Sequence, residues 1–181
     1  MTDLAMTDAS ANPATVRQAA AGDEAAFARI VAEHHAPMAR VAYAITGDVE
    51  TAADAVQTAW STAWRRLGSL RDPLTIRAWL VAIAANEARQ VLRRQRRRTL
   101  VNIEAIGDLP ADGEPGDRIS TVDLARVLRG LDPDDRTLLA LRFAARLDSP
   151  AIAAQLGLTA SGVRSRLSRL LERVRTELDH G

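Results

Sequence analysis

The chain has 181 residues, of which 47% are hydrophobic and 3% aromatic, and its formal net charge is +1. This size suits one domain or two small ones, with a core of Leu, Ile, Val and Ala. The absence of cysteine excludes disulfides, zinc–thiolate sites and thiol sensing by this chain. The sequence shows no signal-peptide pattern and no apolar run of about 20 residues, so we expect a cytoplasmic protein without membrane insertion.

The composition predicts an all-α fold. Ala, Leu and Arg, which favour helices, are abundant, whereas runs of β-branched and aromatic residues are scarce. The charge is segregated as well: residues 89–98 hold six arginines and no acid, whereas residues 99–119 hold five acids and one arginine. Such blocks are typical of contact with a polyanion. We therefore predict two small helical domains joined by an acidic linker, the C-terminal one a helix-turn-helix.

The N-terminal part is predicted to begin with a disordered segment, residues 1–13, followed by a helical domain over residues 14–98. Asp23 is placed to cap an amphipathic helix, and a further helix starts after Gly47. Residues 68–76, GSLRDPLTI, contain glycine and proline and are predicted to form a loop. A long helix follows, and the helix dipole favours the positive charge of its last turns.

Proline, glycine and acids without periodicity mark residues 99–119 as a flexible linker. The second helical domain is predicted over residues 120–178. Ser120 and Asp123 resemble a capping box. The stretch DPDD at 132–135 predicts another helix start, with a cap, a proline at the first helical position and acids in the first turn.

The stretch SPAIAAQLGLTASGVRSRLSRLLERV predicts a helix-turn-helix. Pro150 opens a short helix, Gly157 supplies a left-handed turn and Thr159 caps the next helix. One apolar stripe fastens that second helix to its domain and comprises Val163, Leu167, Leu170, Val174 and Leu178. The arginines lie largely off this stripe, where they can face the major groove and phosphates of DNA. The alternative is a surface helix of a bundle, because runs of charge usually face solvent.

Five motifs occur in one order along the chain: GDEAAFARIVAEHH, DAVQTAWSTAWRRL, RAWLVAIAANEARQVLRR, LRGLDPDDRTLLALRF and AIAAQLGLTASGVRSRLSRLLERVR. Each motif alone is moderately specific. The ordered set, with its short linker, resembles the extracytoplasmic-function sigma factors, the smallest class of bacterial sigma factors. The resemblance covers residues 16–98, which match region 2, and residues 120–178, which match region 4.

The resemblance implies a protein that binds core RNA polymerase and directs it to promoters. Region 2 of such proteins grips the polymerase clamp and opens the −10 element. Region 4 reads the −35 element as duplex DNA and contacts the polymerase flap. The implied partners are core polymerase, promoter DNA that is duplex at −35 and melted at −10, and an anti-sigma factor. Neither catalysis nor a cofactor or metal is expected.

The predicted helix that starts after Gly47 matches the one that faces the polymerase clamp in this family. The residues implied to contact the polymerase are Asp54, Gln57, Trp64, Arg65 and Arg66. We interpret Val56, Trp60 and Trp79 as bundle core instead. Ala53 and Thr58 stand where the family usually has acids, so some polymerase contacts are expected to be weaker.

In the family, the loop before the basic helix captures a flipped −10 base, and the matching loop here is Gly68–Ile76. Arg71 and Asp72 can hydrogen-bond an exposed base edge, with an ordinary surface loop as the alternative. Asn86 matches an asparagine that recurs on the following helix of the family, near the melted −10 strand of the DNA. The arginines expected to neutralise phosphates are Arg93, Arg94, Arg96 and Arg97, with a solvated helix end as the alternative.

The start of the recognition helix carries the residues that the resemblance places at the −35 element: Ser161, Gly162, Arg164, Ser165, Arg166 and Arg169. Arg164 is the candidate for a bidentate guanine contact, whereas Arg166 and Arg169 are expected to touch phosphate. Gly162 replaces a common threonine, which weakens the helix start by up to about 1 kcal/mol relative to alanine. Pro150 and Ala151 replace common acids, so the −35 sequence cannot be borrowed from relatives.

The predicted linker is rich in acids, namely Glu104, Asp108, Asp112, Glu114 and Asp117. In the family this segment threads polymerase channels that later hold RNA. Five acids resemble a stretch of phosphates in sign and spacing. We therefore expect the linker to occupy the basic channel walls until RNA displaces it.

Two other classes of protein compete with this interpretation. A stand-alone helix-turn-helix regulator explains residues 120–178 but leaves Gln57, the tryptophan-bearing helix and the basic helix end without a role. It predicts tight site-specific binding by the protein alone, whereas a sigma factor opens promoters only with polymerase. A metal enzyme is disfavoured because His34, His35 and His180 form no ligand set with carboxylates at useful spacing.

Overall fold

The computed structural model describes the backbone of residues 12–102 and 121–179, and the side chains of residues 12–95 and 126–179. Over these residues the secondary structure is helical, with no β-strand, which confirms the all-α class. Residues 1–11 of the predicted disordered N-terminus lie outside the described residues, whereas Asn12 caps α1 and Pro13 is its first residue, so the prediction was wrong at residues 12–13. The acids of the predicted linker, Ser120, the side chain of Asp123 and His180 also lie outside the described residues.

The helices form two groups along the chain. The N-terminal group comprises α1 (Pro13–Ala20), α2 (Glu24–Thr46), α3 (Val49–Arg66) and α4 (Ile76–Asn102). The C-terminal group comprises α5 (Thr121–Gly130), α6 (Pro133–Leu139), α7 (Ser149–Leu156) and α8 (Ala160–Asp179). A π-helical segment, Ala140–Ala144, follows α6. The predicted loop before α4 consists largely of two 3-10 turns, Leu67–Ser69 and Pro73–Thr75, and α4 itself continues past residue 98.

Local capping groups set the ends of the N-terminal helices. The Oδ1 atom of Asp23 accepts a hydrogen bond from the backbone N–H of Ala26 at 2.9 Å, which confirms the predicted cap of α2. Gly47 ends α2 with a left-handed φ of 72°. Asp48 then caps α3, and hydrogen bonding by the Thr51 side chain and backbone lowers the pKa of its carboxyl. This cap stabilises α3 above the ordinary carboxyl pKa, and its contribution is lost as the pH falls through the lowered pKa.

The core of the N-terminal group lies between α2, α3 and α4. Its fully buried side chains include Ile30, Met38, Val41, Ile45 and Leu80. Val56 is only 1% exposed, which confirms it as a core residue. Trp60 and Trp79 are partly buried and pack against the same core. The apolar spacing of the sequence therefore identified the buried faces of these helices correctly.

The C-terminal group contains the predicted helix-turn-helix in α7 and α8. Gly157 adopts a left-handed φ of 66° at the turn, and the Thr159 hydroxyl accepts a hydrogen bond from the N–H of Gly162 at 3.0 Å. The backbone angle confirms the predicted turn, and the hydrogen bond confirms the predicted cap. The start of α7 differs from the prediction, because Asp148 caps it by accepting a hydrogen bond from Ala151 at 2.8 Å. Proline at 150 thus lies one residue inside the helix rather than opening it.

The two groups of helices pack directly against each other. Helices α2 and α4 contact α6 and the π-helical segment, and α4 also contacts α7. Buried Arg136 of α6 donates from Nη1 to the carbonyl oxygen of Ile45, near the end of α2, at 2.8 Å. Arg77 of α4 donates from Nη2 to the carbonyl oxygen of Ala145 at 3.2 Å. The described part of the chain is therefore closed, with region-2-like and region-4-like helices in contact.

Replacing Ile152 with alanine is expected to lower the free energy of unfolding by about 2–5 kcal/mol. Ile152 is fully buried in α7, so the substitution removes apolar contacts and leaves a cavity under α8. Leu158→Ala is the matched control, because Leu158 is 43% exposed and should change stability far less. Urea unfolding followed by circular dichroism measures both variants, and equal losses would contradict the packing described for α7.

Candidate nucleic-acid and polymerase interfaces

The start of α8 is an exposed polar surface behind the helix-turn-helix turn. Ser161, Gly162, Arg164 and Ser165 are all exposed there, while Val163 between them is fully buried. Burial of the apolar stripe fixes which way α8 faces, so the polar positions of its first turns point away from the core. The structure therefore brings four of the predicted −35 residues together on one exposed helix start.

Gly162 fits closely against the group that caps α8. A Cβ atom added at this position would lie 3.0 Å from the Thr159 hydroxyl oxygen, the same oxygen that accepts the Gly162 N–H. Alanine would gain helix propensity, but its methyl group would press on the cap. The close approach of Thr159 therefore explains why a residue without a side chain stands at position 162. The sequence, in which glycine replaces the family's common threonine, did not show this contact.

Arg166, by contrast, is engaged within the domain. Its Nε and Nη2 atoms donate to Oδ1 of Asp135 at 3.0 and 2.8 Å, and Arg173 donates to Oδ2 of the same carboxylate at 3.2 Å. The Asp135 side chain is only 10% exposed. Arg169 remains exposed and donates to the carbonyl oxygen of Ser165 at 3.3 Å. Within this surface, Arg164 and Arg169 thus extend outward, while Arg166 ties α8 to α6.

Polar residues of α4 form a second surface, which also carries an interdomain contact. Arg93 donates to Oδ2 of Asp134 in α6 at 2.6 Å, and Arg89 donates to Oδ1 at 3.3 Å. Arg89 also donates to the side-chain oxygen of Asn86, which lies one turn earlier on the same face. Arg94 is exposed and donates to Gln90 at 3.4 Å. The side chains of Arg96 and Arg97 lie outside the described residues.

The predicted base-capture loop lies at the opposite end of α4. Arg71 and Asp72 are both exposed, and Asp72 caps the second 3-10 turn by accepting a hydrogen bond from Leu74 at 3.0 Å. At a rise of about 1.5 Å per residue, Arg93 lies roughly 25 Å further along the helix axis than its start at Ile76. The structure therefore places the predicted −10 residues along the length of α4 rather than at one point.

An apolar groove of about 750 Å³ lies between α2 and α3, and we call it the α2–α3 groove. Its lining comprises Val31, His35, Ala39, Arg40, Tyr43, Val49, Ala52, Ala53, Val56, Gln57, Trp60 and Ser61. Within it, Trp60 donates from its indole nitrogen to Nδ1 of His35 at 3.3 Å. Tyr43 and Val49 are 50% and 73% exposed. A concave apolar surface of this size fits the apolar face of a partner segment.

The other predicted polymerase residues lie on α3 outside this groove. Asp54, Arg65 and Arg66 are exposed. Trp64 is 38% exposed, and its ring lies 4.7 Å from that of Phe27 in an edge-on arrangement. Only Gln57 of the predicted set lines the groove. The structure thus divides the predicted polymerase surface between the groove and a polar flank of α3.

Several residues with exposed or bridging positions were missed by the sequence reasoning. Tyr43, Arg89 and Phe143 were not singled out, although Phe143 is 57% exposed beside a second apolar pocket. Asp134 was predicted only as an acid in the first turn of a helix. The spacing of Asn86, Arg89 and Arg93 along one helix face was a usable signal for Arg89. Nothing local in the sequence marked Tyr43, because its exposure depends on how α2 and α3 pack.

The parts of the chain that the structure describes contain neither a candidate membrane span nor a candidate metal site. No helix there is both long and apolar enough to cross a membrane. No group of His, Cys, Asp or Glu residues there has a metal-binding arrangement. His34 is buried while its neighbour His35 is exposed and hydrogen-bonded to Trp60. The two adjacent histidines therefore lie in different environments, one in the core and one at the surface.

Comparisons with known proteins match both halves of the chain. The family model described as Sigma-70 region 2 matches residues 30–98, and the one described as Sigma-70, region 4 matches residues 121–174. The RNA polymerase sigma factor CnrH of Cupriavidus metallidurans is 32% identical over 174 residues, which cover 90% of this chain and 91% of that protein. The ECF RNA polymerase sigma factor SigL of Mycobacterium tuberculosis is 29% identical and covers 91% of this chain and 96% of its own length.

A relative from Xanthomonas campestris, named "Probable RNA polymerase sigma factor RfaY", is 34% identical, but the chain spans only 42% of its length. Among solved structures, CnrH in complex with the cytosolic domain of CnrY has a TM-score of 0.66 at 28% identity and covers 94% of this chain and 98% of its own. The Bartonella quintana sigma factor RpoE in complex with the anti-sigma factor NepR has a TM-score of 0.65 at 23% identity, which shows the shared fold. It covers 84% of this chain and 96% of its own.

These matches decide between the competing classes. A stand-alone helix-turn-helix regulator accounts only for the C-terminal match, whereas the N-terminal match covers α3 and the basic helix α4. Sigma factors are transcription initiation factors that bind core RNA polymerase and promoter DNA without catalysing a reaction themselves. With regions 2 and 4 matched in one order over most of its length, the chain belongs to the extracytoplasmic-function sigma factors of the sigma-70 family.

Proposed function

We propose that specific surfaces of this sigma factor divide the work of promoter initiation. The α2–α3 groove and the polar flank of α3 bind the polymerase, the loop before α4 and the exposed face of α4 engage the melted −10 strand, and the start of α8 reads the −35 duplex. The observation that carries this proposal is the exposed, arginine-bearing start of α8 behind a glycine turn and a threonine cap.

At the −35 element, the first turns of α8 have the form of a recognition helix. Arg164 is exposed near its N-terminus and presents a guanidinium fork, which suits the O6 and N7 atoms of guanine. Ser161 and Ser165 flank it and can reach base edges or phosphates. Arg169, one turn further on, is placed for phosphate contact. Arg166 has first to leave Asp135, so its proposed phosphate contact requires an exchange of partners.

At the polymerase, Gln57 is one of the few polar residues that line the largely apolar α2–α3 groove. Interfaces bind most strongly where a desolvated apolar centre is surrounded by polar contacts. The exposed residues Asp54, Arg65 and Arg66 lie on α3 and provide such a rim. Trp64 is partly exposed and supplies a rigid aromatic edge to the same surface.

At the −10 element, Arg71 and Asp72 have different roles in the proposal. Arg71 is exposed and free to contact a base edge, whereas the Asp72 carboxylate holds the turn before α4 by capping Leu74. A capping carboxylate keeps the turn in one shape, which positions its neighbours for a flipped base. Asn86 lies further along α4 and can contact the same strand.

Arg94→Ala is expected to reduce the salt dependence of promoter binding by the holoenzyme. Each phosphate that is neutralised changes the slope of log K against log salt by about 0.7–0.9, so losing one arginine lowers the slope by about that amount. Arg17→Ala is the matched control, because it removes the same charge from an exposed position on α1, outside the surfaces proposed for DNA. Fluorescence anisotropy at several salt concentrations measures the slopes. An unchanged slope for Arg94→Ala would remove this residue from the phosphate surface.

The proposal extends to partners and location. The solved structures of CnrH and RpoE hold their sigma factors against CnrY and the anti-sigma factor NepR, respectively. We propose that an anti-sigma factor also binds this chain and covers its polymerase-binding faces. The acidic stretch at 99–119 is proposed to occupy polymerase channels before RNA does. A chain that works with RNA polymerase acts in the cytoplasm and needs no catalytic site of its own.

Run-off transcription with core RNA polymerase and genomic DNA tests the proposed function. The chain is expected to make the polymerase start at a small set of defined sites, and mapping of the 5′ ends then gives the shared −10 and −35 sequences. A chain that never comigrates with core polymerase and never directs a defined start would refute the proposal. Tight site-specific binding by the chain alone would instead favour a regulator.

A further inference from the structure

Two consecutive carboxylates at the start of α6 bind arginines from two different surfaces. Asp134 accepts hydrogen bonds from Arg89 and Arg93 of α4, which belongs to the N-terminal group of helices. Asp135 accepts hydrogen bonds from Arg166 and Arg173 of α8, its own domain. The start of α6 therefore lies between the surfaces proposed for the −10 and −35 elements.

The contact of Asp134 with α4 has the chemistry of a phosphate contact. A carboxylate presents two anionic oxygens, and each of them here accepts a hydrogen bond from a separate guanidinium group. Arg93 is a residue that the proposed function assigns to the phosphates of the −10 region, and Arg89 lies one turn before it. A DNA phosphate and Asp134 therefore compete for the guanidinium groups of Arg89 and Arg93.

This contact is accessible to solvent and to competitors. The side chains of Arg89, Arg93 and Asp134 are 25%, 50% and 30% exposed. Two further bridges between the helix groups end on uncharged carbonyl oxygens, those of Ile45 and Ala145. The bridge through Asp134 is instead an ion pair with two arginines. It is the bridge that an anion can displace.

We propose that Asp134 is an internal phosphate mimic that holds the free chain closed over the phosphate-binding face of α4. In the closed chain, Asp134 occupies donor groups of Arg89 and Arg93, and the melted −10 strand has to compete with it for them. On the polymerase the two domains engage separate sites, so the contact breaks and the arginines become available to DNA. The inference rests on the proposed function of α4, and it adds a reason why the sigma factor alone would bind promoter DNA weakly.

Measurement of the distance between the domains tests closure without any DNA. The native sequence contains no cysteine, so cysteines introduced at exposed Ala20 in α1 and Ala154 in α7 carry a donor and an acceptor dye. In this labelled chain, Asp134→Asn is expected to shift molecules from high to low transfer efficiency. Asp134→Arg, which repels Arg89 and Arg93, is expected to shift more of them. Glu177→Gln removes one exposed acid elsewhere and is the matched control.

Binding of the free chain to promoter DNA whose −10 segment is held single-stranded tests the competition itself. Two exposed ion pairs contribute little each, so Asp134→Asn is expected to raise the affinity of the free chain by roughly 2- to 30-fold over Glu177→Gln. The affinity of the holoenzyme should change no more than it does for Glu177→Gln, because the domains are already apart. Thermal melting followed by circular dichroism establishes that the variants are folded.

The outcomes separate the two proposals. Equal transfer efficiency and equal DNA affinity for Asp134→Asn and Glu177→Gln would overturn the phosphate-mimic proposal. Opening of the domains without any gain in DNA affinity would overturn it as well, because α4 would then not be the surface that Asp134 covers. Absence of polymerase-dependent initiation by the unmodified chain would refute the proposed function, whatever the distance measurement shows.

Discussion

Tyr43→Ala is expected to weaken binding of the sigma factor to core RNA polymerase by about 2 kcal/mol or more, roughly 30-fold in Kd. Tyr43 lies on α2, is 50% exposed and lines the α2–α3 groove opposite Gln57 of α3. Tyrosine is among the residues most often found at energetic centres of interfaces, because its ring is large and loses little conformational entropy on binding. Truncation to alanine leaves the groove without its largest exposed aromatic wall.

Tyr43→Phe is the control for this prediction. Phenylalanine keeps the ring in the groove and removes only the hydroxyl group, so it should bind the polymerase nearly as well as the native chain. Fluorescence-monitored titration of labelled core polymerase measures both affinities. If Tyr43→Ala binds as tightly as Tyr43→Phe, the α2–α3 groove is not part of the polymerase interface, and the polar flank of α3 has to carry it alone.

Arg164→Ala is expected to remove about 1–3 kcal/mol of discrimination at one base pair of the −35 element, roughly 5- to 150-fold. Arg164 is exposed at the start of α8. Its neighbour Val163 is fully buried, and this burial orients the helix so that Arg164 faces away from the core. Bidentate hydrogen bonding to guanine is lost in the variant. Binding to other sequences should fall much less, so specificity changes more than affinity.

Arg169→Ala is the matched control for Arg164→Ala. Arg169 lies on the same helix and carries the same charge, but its proposed contact is a phosphate, which conveys no sequence information. Its loss should therefore weaken binding about equally on all promoters and leave the sequence preference intact. Run-off transcription on a library of −35 variants measures both effects. A preference that survives Arg164→Ala unchanged would assign readout to another residue.

The closed arrangement connects the proposed surfaces. Arg93 and Arg166 are both assigned to phosphates, and both pair with acids of α6 in the described structure. The two pairs differ in depth: the Asp135 side chain is 10% exposed, whereas that of Asp134 is 30% exposed. Arg166 therefore has a structural role within region 4, while Arg93 is the arginine that a change in domain arrangement releases.

The sequence by itself determined the features that depend on neighbouring residues. Apolar spacing identified the stripe of α8, whose members Val163, Leu167 and Leu170 are buried. Caps at Asp23 and Thr159 follow from hydrogen bonds that span only three residues. Helix periodicity and capping act within one or two turns, so a single sequence carries them in full. The same local motifs, in their order, also led to the family that the comparisons establish.

Only the tertiary structure decided which charged groups meet. Arg93 and Asp134 are 41 residues apart in the sequence, and Arg136 and the Ile45 carbonyl are 91 residues apart. An arginine that binds a phosphate and an arginine that pairs with an aspartate have the same local propensities. The sequence alone therefore could not distinguish the two roles. The α2–α3 groove likewise exists only because two helices pack with a gap. Long-range pairing depends on how whole helices pack, and short-range patterns do not encode it.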